Sequence, residues 1–293
     1  MSFPVVTPLK GQRTDKDYSA GLIRSDEEFL NGIEDVLFLK PEFSDLTLVA
    51  GRERFPAHRV ILAFRSEYFR AMLYGGLMES VQTEIELKEV NPTALRAVLK
   101  YIYSVEIDLS ELNVEEILAT LRLAHEYGLT KFQEAIVDYL KKILSVDIAF
   151  LIAETSATLS IESLTECCNQ FCDRHAIDVL KSKEFPILSL SKVMEMLSRD
   201  TFYAPEIDIF RALTGWIRTQ PVMEPNQLLE LFKKLISENC LRLHLVSPKE
   251  LLTTVRRSTI FTPISYELDK CILDAIEVKD NGTGPSRRQS PGV

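Results

Sequence analysis

The chain has 293 residues, 46% hydrophobic and 26% charged, a balance that calls for folded domains, one large or two ordinary in number. Lys and Arg total 34 against 43 Asp and Glu, a net charge of −9, which argues against a surface built for non-specific attraction to nucleic-acid phosphates. No apolar run approaches the roughly 18 residues of a membrane span, the N-terminus lacks the pattern of a secretory signal, and five cysteines at 167, 168, 172, 240 and 271 form no disulfide framework. A reducing compartment is expected, the cytoplasm with the nucleus accessible.

Residues 1–24 are polar, interrupted by Pro4 and Pro8, and read as a disordered leader. Phe29, Ile33, Val36 and Leu37 then recur at helical spacing and predict an amphipathic helix over about 26–39, ended near Pro41. Alternation through Leu46, Leu48 and Ala50, a turn at Gly51 and an extended stretch to Phe55 predict two short strands. Pro56 marks the passage to helix. Val60, Ile61, Phe64, Tyr68, Met72 and Leu73 line one helical side over 57–74, with Arg65-Ser66-Glu67 as a point of division into two shorter helices. Gly75-Gly76 closes that stretch, and TEIEL, residues 83–87, reads as a further strand.

Asn91 as a cap and Pro92 at the first helical position open a helix bearing Leu95, Val98, Leu99, Ile102 and Tyr103. A second follows over 113–127, ending before Gly128, and Thr130 with Gln133 predicts a third bearing Phe132, Ile136, Tyr139, Leu140 and Ile143. Beyond 144 the apolar spacing is mainly helical, within 147–157, 161–174, 191–198, 206–219, 226–236, 249–257 and 265–277. Pro205, Pro225 and Pro248 stand near helix starts, where a missing backbone donor costs least. The expected fold class is α+β: a small β-sheet flanked by helices over 25–144, an all-α domain over 145–279, and a disordered tail over 280–293.

Residues 43–80, FSDLTLVAGRERFPAHRVILAFRSEYFRAMLYGGLMES, place Asp45 before a β segment, Phe55 with Ala57-His58-Arg59, and Ser66-Glu67-Tyr68-Phe69 ahead of a glycine corner. LKYIYSVEIDL (99–109) and LRLAHEYGL (121–129) follow. In these features the sequence resembles the BTB/POZ family, and with the downstream helices the resemblance extends over about 25–279 as a BTB/POZ fold followed by a BACK domain. Trp216 also matches an aromatic position of BACK, where a core role is expected.

The resemblance implies a homodimer in which the first helix, with Phe29, Ile33, Val36 and Leu37, packs against its counterpart; covering their own domain is the competing reading of these residues. It also implies cullin-3 docking. Leu77-Met78-Glu79 fits a hydrophobic-X-Glu pattern found beyond the paired helices of cullin-binding relatives, Leu77 entering an apolar groove and Glu79 orienting through a donor at its edge. Tyr68 is expected as a core or groove-wall residue. Asp45, His58 and Arg59 are assigned to a structural pocket, Asp45 bonding or pairing with His58 or Arg59.

The implied function is that of a non-catalytic, substrate-recruiting adaptor of a cullin-3 RING ubiquitin ligase, holding the cullin through BTB and the start of BACK. The alternative is a non-ligase BTB scaffold or a corepressor-recruiting protein. The substrate is unspecified. Kelch repeats do not follow BACK, nor do the discoidin-like β-sandwich domains of the group within the family that this sequence resembles. A fragment, a shortened isoform and a BACK that reads targets itself all remain open.

Cys167, Cys168, Cys172 and His175 offer zinc-type side chains at helical offsets but no paired Cys-X-X-Cys knuckle, and Leu164, Cys168, Phe171 and Cys172 suit a core face, so buried thiols are the preferred reading. His125 and His244 are isolated, and no nucleophile and base set, phosphate loop, dinucleotide fingerprint or HExxH motif occurs. Neither zinc-finger spacing nor a sustained basic helix is present, so direct nucleic-acid binding is not expected, and no cofactor or metal is required.

Overall fold

The computed structural model describes residues 36–104 and 107–281. The chain divides between Leu129 and Thr130 into two compact units.

The first unit is built on three strands in the order β2-β1-β3. β1 (Leu46–Ala50) alternates buried and half-buried residues, turns tightly through Gly51 at φ +58°, and pairs antiparallel with β2 (Glu53–Ala57), Leu48 opposite Phe55. Only a residue tolerant of the left-handed region serves at such a corner, which is why glycine stands there. α1 (Arg59–Arg65) and α2 (Glu67–Tyr74) follow, divided at Ser66, as the sequence suggested. Ser66 has extended backbone; its Oγ accepts the Phe69 N–H at 3.3 Å to cap α2 and donates to the Tyr127 carbonyl at 2.7 Å. β3 (Glu84–Glu86) then pairs parallel to β1, Leu48 opposite Ile85.

α3 (Pro92–Ser104) starts where Asn91 accepts the Ala94 N–H at 3.1 Å. α4 (Val114–Glu126) carries a reciprocal capping box between Asn113 and Glu116, a signal the sequence reading passed over, and ends at Gly128, φ +68°. Leu48, Phe55, Leu62, Phe69, Leu95, Val98, Leu99, Leu121 and Tyr127 fill the core.

The second unit is helical: α5 (Thr130–Ile143), α6 (Val146–Thr158), α7 (Glu162–Arg174), α8 (Ala176–Lys181), α9 (Leu190–Ser198), α10 (Glu206–Thr219), α11 (Pro225–Ser237), a run of short turns, and α12 (Ser265–Asn281). Each expected helix has a counterpart except 249–257, which is a helical turn, Pro248–Glu250, running into a π-turn, Leu251–Val255. The six-residue α8 was not foreseen, being too short for a periodic signal. α5, the last helix of the expected first domain, packs on α7 and clusters in space with the second compact unit. The leader and most of the expected tail lie outside the described residues, α12 running on to Asn281.

Trp216 is buried, and its Nε1–H donates to the Leu188 carbonyl at 2.8 Å, so the ring fills core volume without an unpaired donor. Phe185, Phe202, Phe210, Phe232 and Phe261 share that core, as does Cys172. Cys168 and Cys172 face inward from α7, and burial pushes their thiols up from the usual 9.0, to about 12 and about 11.

Replacing Ser66 by Ala removes a cap and leaves the buried Tyr127 carbonyl short of a donor. A loss of about 1–2 kcal/mol is expected by urea unfolding. The two thiols give a second expectation. The folded chain holds their protons more tightly than the unfolded chain, so their contribution to stability is complete below pH 9 and declines as pH rises toward 11–12. Unfolding midpoints should therefore fall above pH 9, and Cys168→Ala should flatten that fall.

Candidate functional site

Asp45, His58 and Arg59 lie near where β2 gives way to α1, but their side chains turn to different partners. The Asp45 Oδ1 accepts the Arg59 backbone N–H at 2.8 Å, satisfying a free donor of the helix's first turn with a negative charge. Between the two pairings the sequence left open for Asp45, this is the one with Arg59, made through backbone rather than guanidinium. His58 is buried and turns to Tyr103, whose hydroxyl lies 2.9 Å from the His58 N–H and 2.8 Å from its Nδ1. With the hydroxyl accepting from the amide and donating to Nδ1, the ring proton belongs on Nε2, which faces the Glu42 carbonyl at 3.4 Å. Burial pushes the Tyr103 phenol well above its usual range, so it stays a neutral donor.

The Arg59 guanidinium reaches in the other direction, to the turn that carries the proposed docking residues. Its Nη1 donates to the carbonyls of Glu79 and Ser80 at 3.4 and 3.2 Å, and its Nη2 to those of Glu79 at 3.4 Å and of Gln82. This use is not legible in the sequence, because carbonyl acceptors leave no trace in residue identity.

Leu77, Met78 and Glu79 follow a corner that two glycines make. A Cβ on Gly75 would collide with the Ala71 carbonyl oxygen, and Gly76 has φ +79°. Leu77 is extended and opens a 3₁₀ turn, Met78–Ser80, in which the Ser80 and Val81 amides donate to the carbonyls of Leu77 and Met78 at 3.0 and 3.3 Å. The Ser80 Oγ also donates to the Met72 carbonyl at 3.4 Å. Leu77 is 56% and Met78 75% exposed, Tyr74 and Val81 are exposed beside them in sequence, and Glu79 is half-buried.

Tyr68 is half-buried, stacked on Tyr127 with ring centroids 4.8 Å apart and edge-on to Phe69 at 5.5 Å. Burial raises its phenol pKa, and the Glu126 and Glu79 carboxylates add to the rise, with Glu126 also hydrogen-bonded to it. Tyr68 thus packs against Tyr127 and Phe69, close enough to Glu79 for that carboxylate to raise its phenol pKa. Glu126, bonded to Tyr68, and Ser80, which ties the turn to Met72, are contacts that sequence reasoning missed.

Of the four residues assigned to dimerisation, Phe29 and Ile33 lie outside the described residues. Val36 is exposed and Leu37 half-buried, both in helical backbone. Val60 and Phe64, four apart on α1, are 68% and 78% exposed and were not foreseen as surface groups. At the start of the helical half Leu164 is fully buried, while Phe150 and Ile161 are half-buried. Among the described residues, no group of three or more His, Cys, Asp and Glu is placed to hold a metal ion. Nor, among the same residues, is any helix long and apolar enough to cross a membrane.

Two family models match. The BTB/POZ domain covers residues 35–144 and the BTB And C-terminal Kelch (BACK) domain residues 149–256. BTB/POZ domain-containing protein 9 of Drosophila melanogaster is 40% identical over 82% of this chain and 31% of its own length. The Homo sapiens protein of that name is 37% identical over 83% of this chain and 37% of its own. Human Kelch-like protein 26 is 34% identical over 62% of this chain and 29% of its own. The chain spans about a third of the length of these curated relatives. With two adjacent domain matches, and helices, sheet and capped corners laid out as described, the chain belongs to the BTB/POZ–BACK family and is similar to BTB/POZ domain-containing protein 9.

Proposed function

We propose that the chain is a homodimeric, non-catalytic adaptor that recruits a protein substrate to a cullin-3 RING ubiquitin ligase, in the cytoplasm. The observation that carries this reading is the Leu77-Met78-Glu79 turn. It presents two large apolar side chains to solvent on a fixed backbone, beside a half-buried carboxylate. Exposed apolar groups on an ordered turn are the form of a binding hot spot, where one or two inserted residues supply most of the affinity. Glu79, near Tyr68 and at the edge of the apolar group, is placed to fix the register of a partner through a charged or backbone donor.

Dimerisation is supported by apolar surface that the single chain leaves uncovered. Val60 and Phe64 make a stripe on α1, and Val36 adds an exposed group where the described chain begins. A second copy of the same chain covers such a stripe isologously. Two docking turns per dimer would then hold a multivalent target at high effective concentration.

Light scattering at micromolar concentration should give the mass of two chains, and a mass of one would remove the homodimer from the proposal. Leu77→Asp combined with Glu79→Ala should weaken direct binding to cullin-3 by about thirtyfold or more, as expected for loss of about 2 kcal/mol at a hot spot, with the melting temperature unchanged. Unaltered calorimetric affinity would reject this site. Wild-type protein that does not bind cullin-3 would favour the scaffold or corepressor-recruiting role.

A further inference from the structure

The geometry points to Arg59 as the positioning residue of the docking turn, the side chain that holds Leu77-Met78-Glu79 in the form a partner meets. This rests on the reading of that turn as the cullin-docking element and adds what sets its shape.

The turn has little of its own to hold it. None of the three residues of the 3₁₀ turn is buried, and its internal bonds are the two amide contacts of Ser80 and Val81. A short surface turn with exposed Leu77, Met78 and Val81 would lower its free energy by folding those groups inward, unless its backbone were tied from outside. The Ser80 Oγ gives one such tie, to the Met72 carbonyl at 3.4 Å, and Arg59 supplies the others. One guanidinium engages the carbonyls of residues 79, 80 and 82, three acceptors within four residues. The Arg59 backbone is itself fixed, since its N–H is bound to Asp45 and its Cα sits in the first turn of α1. Lysine, a point charge on a flexible stem, cannot span the same three acceptors. With the carbonyls turned inward to Arg59, the opposite side of the turn faces solvent. A partner then meets a turn already in its bound form, and apparent affinity scales with the fraction of molecules that hold it.

The test compares amide hydrogen exchange and cullin-3 affinity in full-length wild type, Arg59→Lys, Arg59→Gln and Leu77→Asp. In Arg59→Gln the Ser80 and Val81 amides should exchange at least tenfold faster, and affinity should fall by a similar factor, while the amides of the β1–β2 ladder keep their protection. Arg59→Lys should show the same pattern to a smaller extent. Leu77→Asp should lose binding with exchange at Ser80 and Val81 unchanged, which separates a contact residue from a positioning one. Wild-type exchange in both Arg59 variants would overturn the proposal, as would a loosened turn with undiminished affinity. If the ladder of Arg59→Gln loses protection, Arg59→Lys decides, and wild-type Ser80 and Val81 amides exchanging at the unstructured rate would overturn the proposal without any variant. Should the wild type not bind cullin-3 at all, the adaptor reading falls, and the exchange comparison alone decides whether Arg59 sets the turn.

Discussion

Strand β1 is hydrogen-bonded on both edges, antiparallel to β2 and parallel to β3, and the parallel edge constrains everything between residues 57 and 84. An antiparallel neighbour needs only a tight turn, which Gly51 supplies, whereas a parallel neighbour needs a crossover long enough to return the chain to the starting end of the sheet. Here the crossover consists of α1, α2, the glycine corner and the 3₁₀ turn. It is pinned at its end by the Thr47 N–H on the Thr83 carbonyl at 2.9 Å and the Leu87 N–H on the Val49 carbonyl at 2.8 Å. The proposed docking residues are therefore part of a closed loop of structure. Their position follows from the length of two short helices and the angle between them.

That angle is fixed mostly by polar contacts. Ser66 breaks the helical run because its side chain serves the start of α2 and the Tyr127 carbonyl at once, so neither helix can extend through it. Asp45 holds the start of α1, and Tyr103 holds His58 just before it. The apolar residues of α1 and α2, with Leu62, Phe69 and Leu73 buried, provide most of the driving force, but burial is non-directional and leaves the helices free to rotate. Hydrogen bonds with set directions remove that freedom. By contrast, the exposed pairs of Arg54 with Glu84 and Arg96 with Glu53 add little to stability, since water screens them.

Much of the fold was legible because it depends on local rules. The α+β class, the break at Ser66, Pro92 at the first turn of α3, and the helices of the second half all follow from spacing, proline position and caps. The direction of β3 relative to β1 was not legible, since TEIEL reads alike in either orientation and only the crossover decides. The site was legible in part. Leu77, Met78 and Glu79 lie in sequence after Gly75-Gly76, but Arg59 enters their turn by bonding to carbonyls, which every residue possesses. Helical spacing groups Val60 and Phe64 on one side with Tyr68, Met72 and Leu73 without saying what that side meets; α1 has only seven residues, and Leu62 and Ala63 suffice to bury its inner side. The exposed pair is the residue of that short helix's geometry, and the amphipathic pattern could not distinguish a surface meant for the core from one meant for another chain.

The same device recurs in the second unit on a connection of a different kind. Residues 199–205 join α9 to α10 and carry few groups that can be buried, apart from Phe202 and Ala204. Arg199 there makes a two-point contact with Asp173 of α7, at 2.7 and 3.0 Å, and Thr201 donates to the same carboxylate. Arg242, only 3% exposed, reaches the connection from the other side, to the Ser198 carbonyl at 3.3 Å and to Asp200 at 2.5 Å, while its backbone N–H donates to Glu206 at 2.6 Å. The pairs are buried on one side only: loss of Asp200 or of Arg199 leaves the buried Arg242 or Asp173 without its counter-charge, whereas Asp200, 54% exposed, keeps access to water. Their contribution lies in the uniqueness of the arrangement. A guanidinium with several donors in a fixed plane accepts one geometry of neighbouring oxygens and rejects its near alternatives, so both units hold the connections least able to pack by giving each an arginine from elsewhere in the chain.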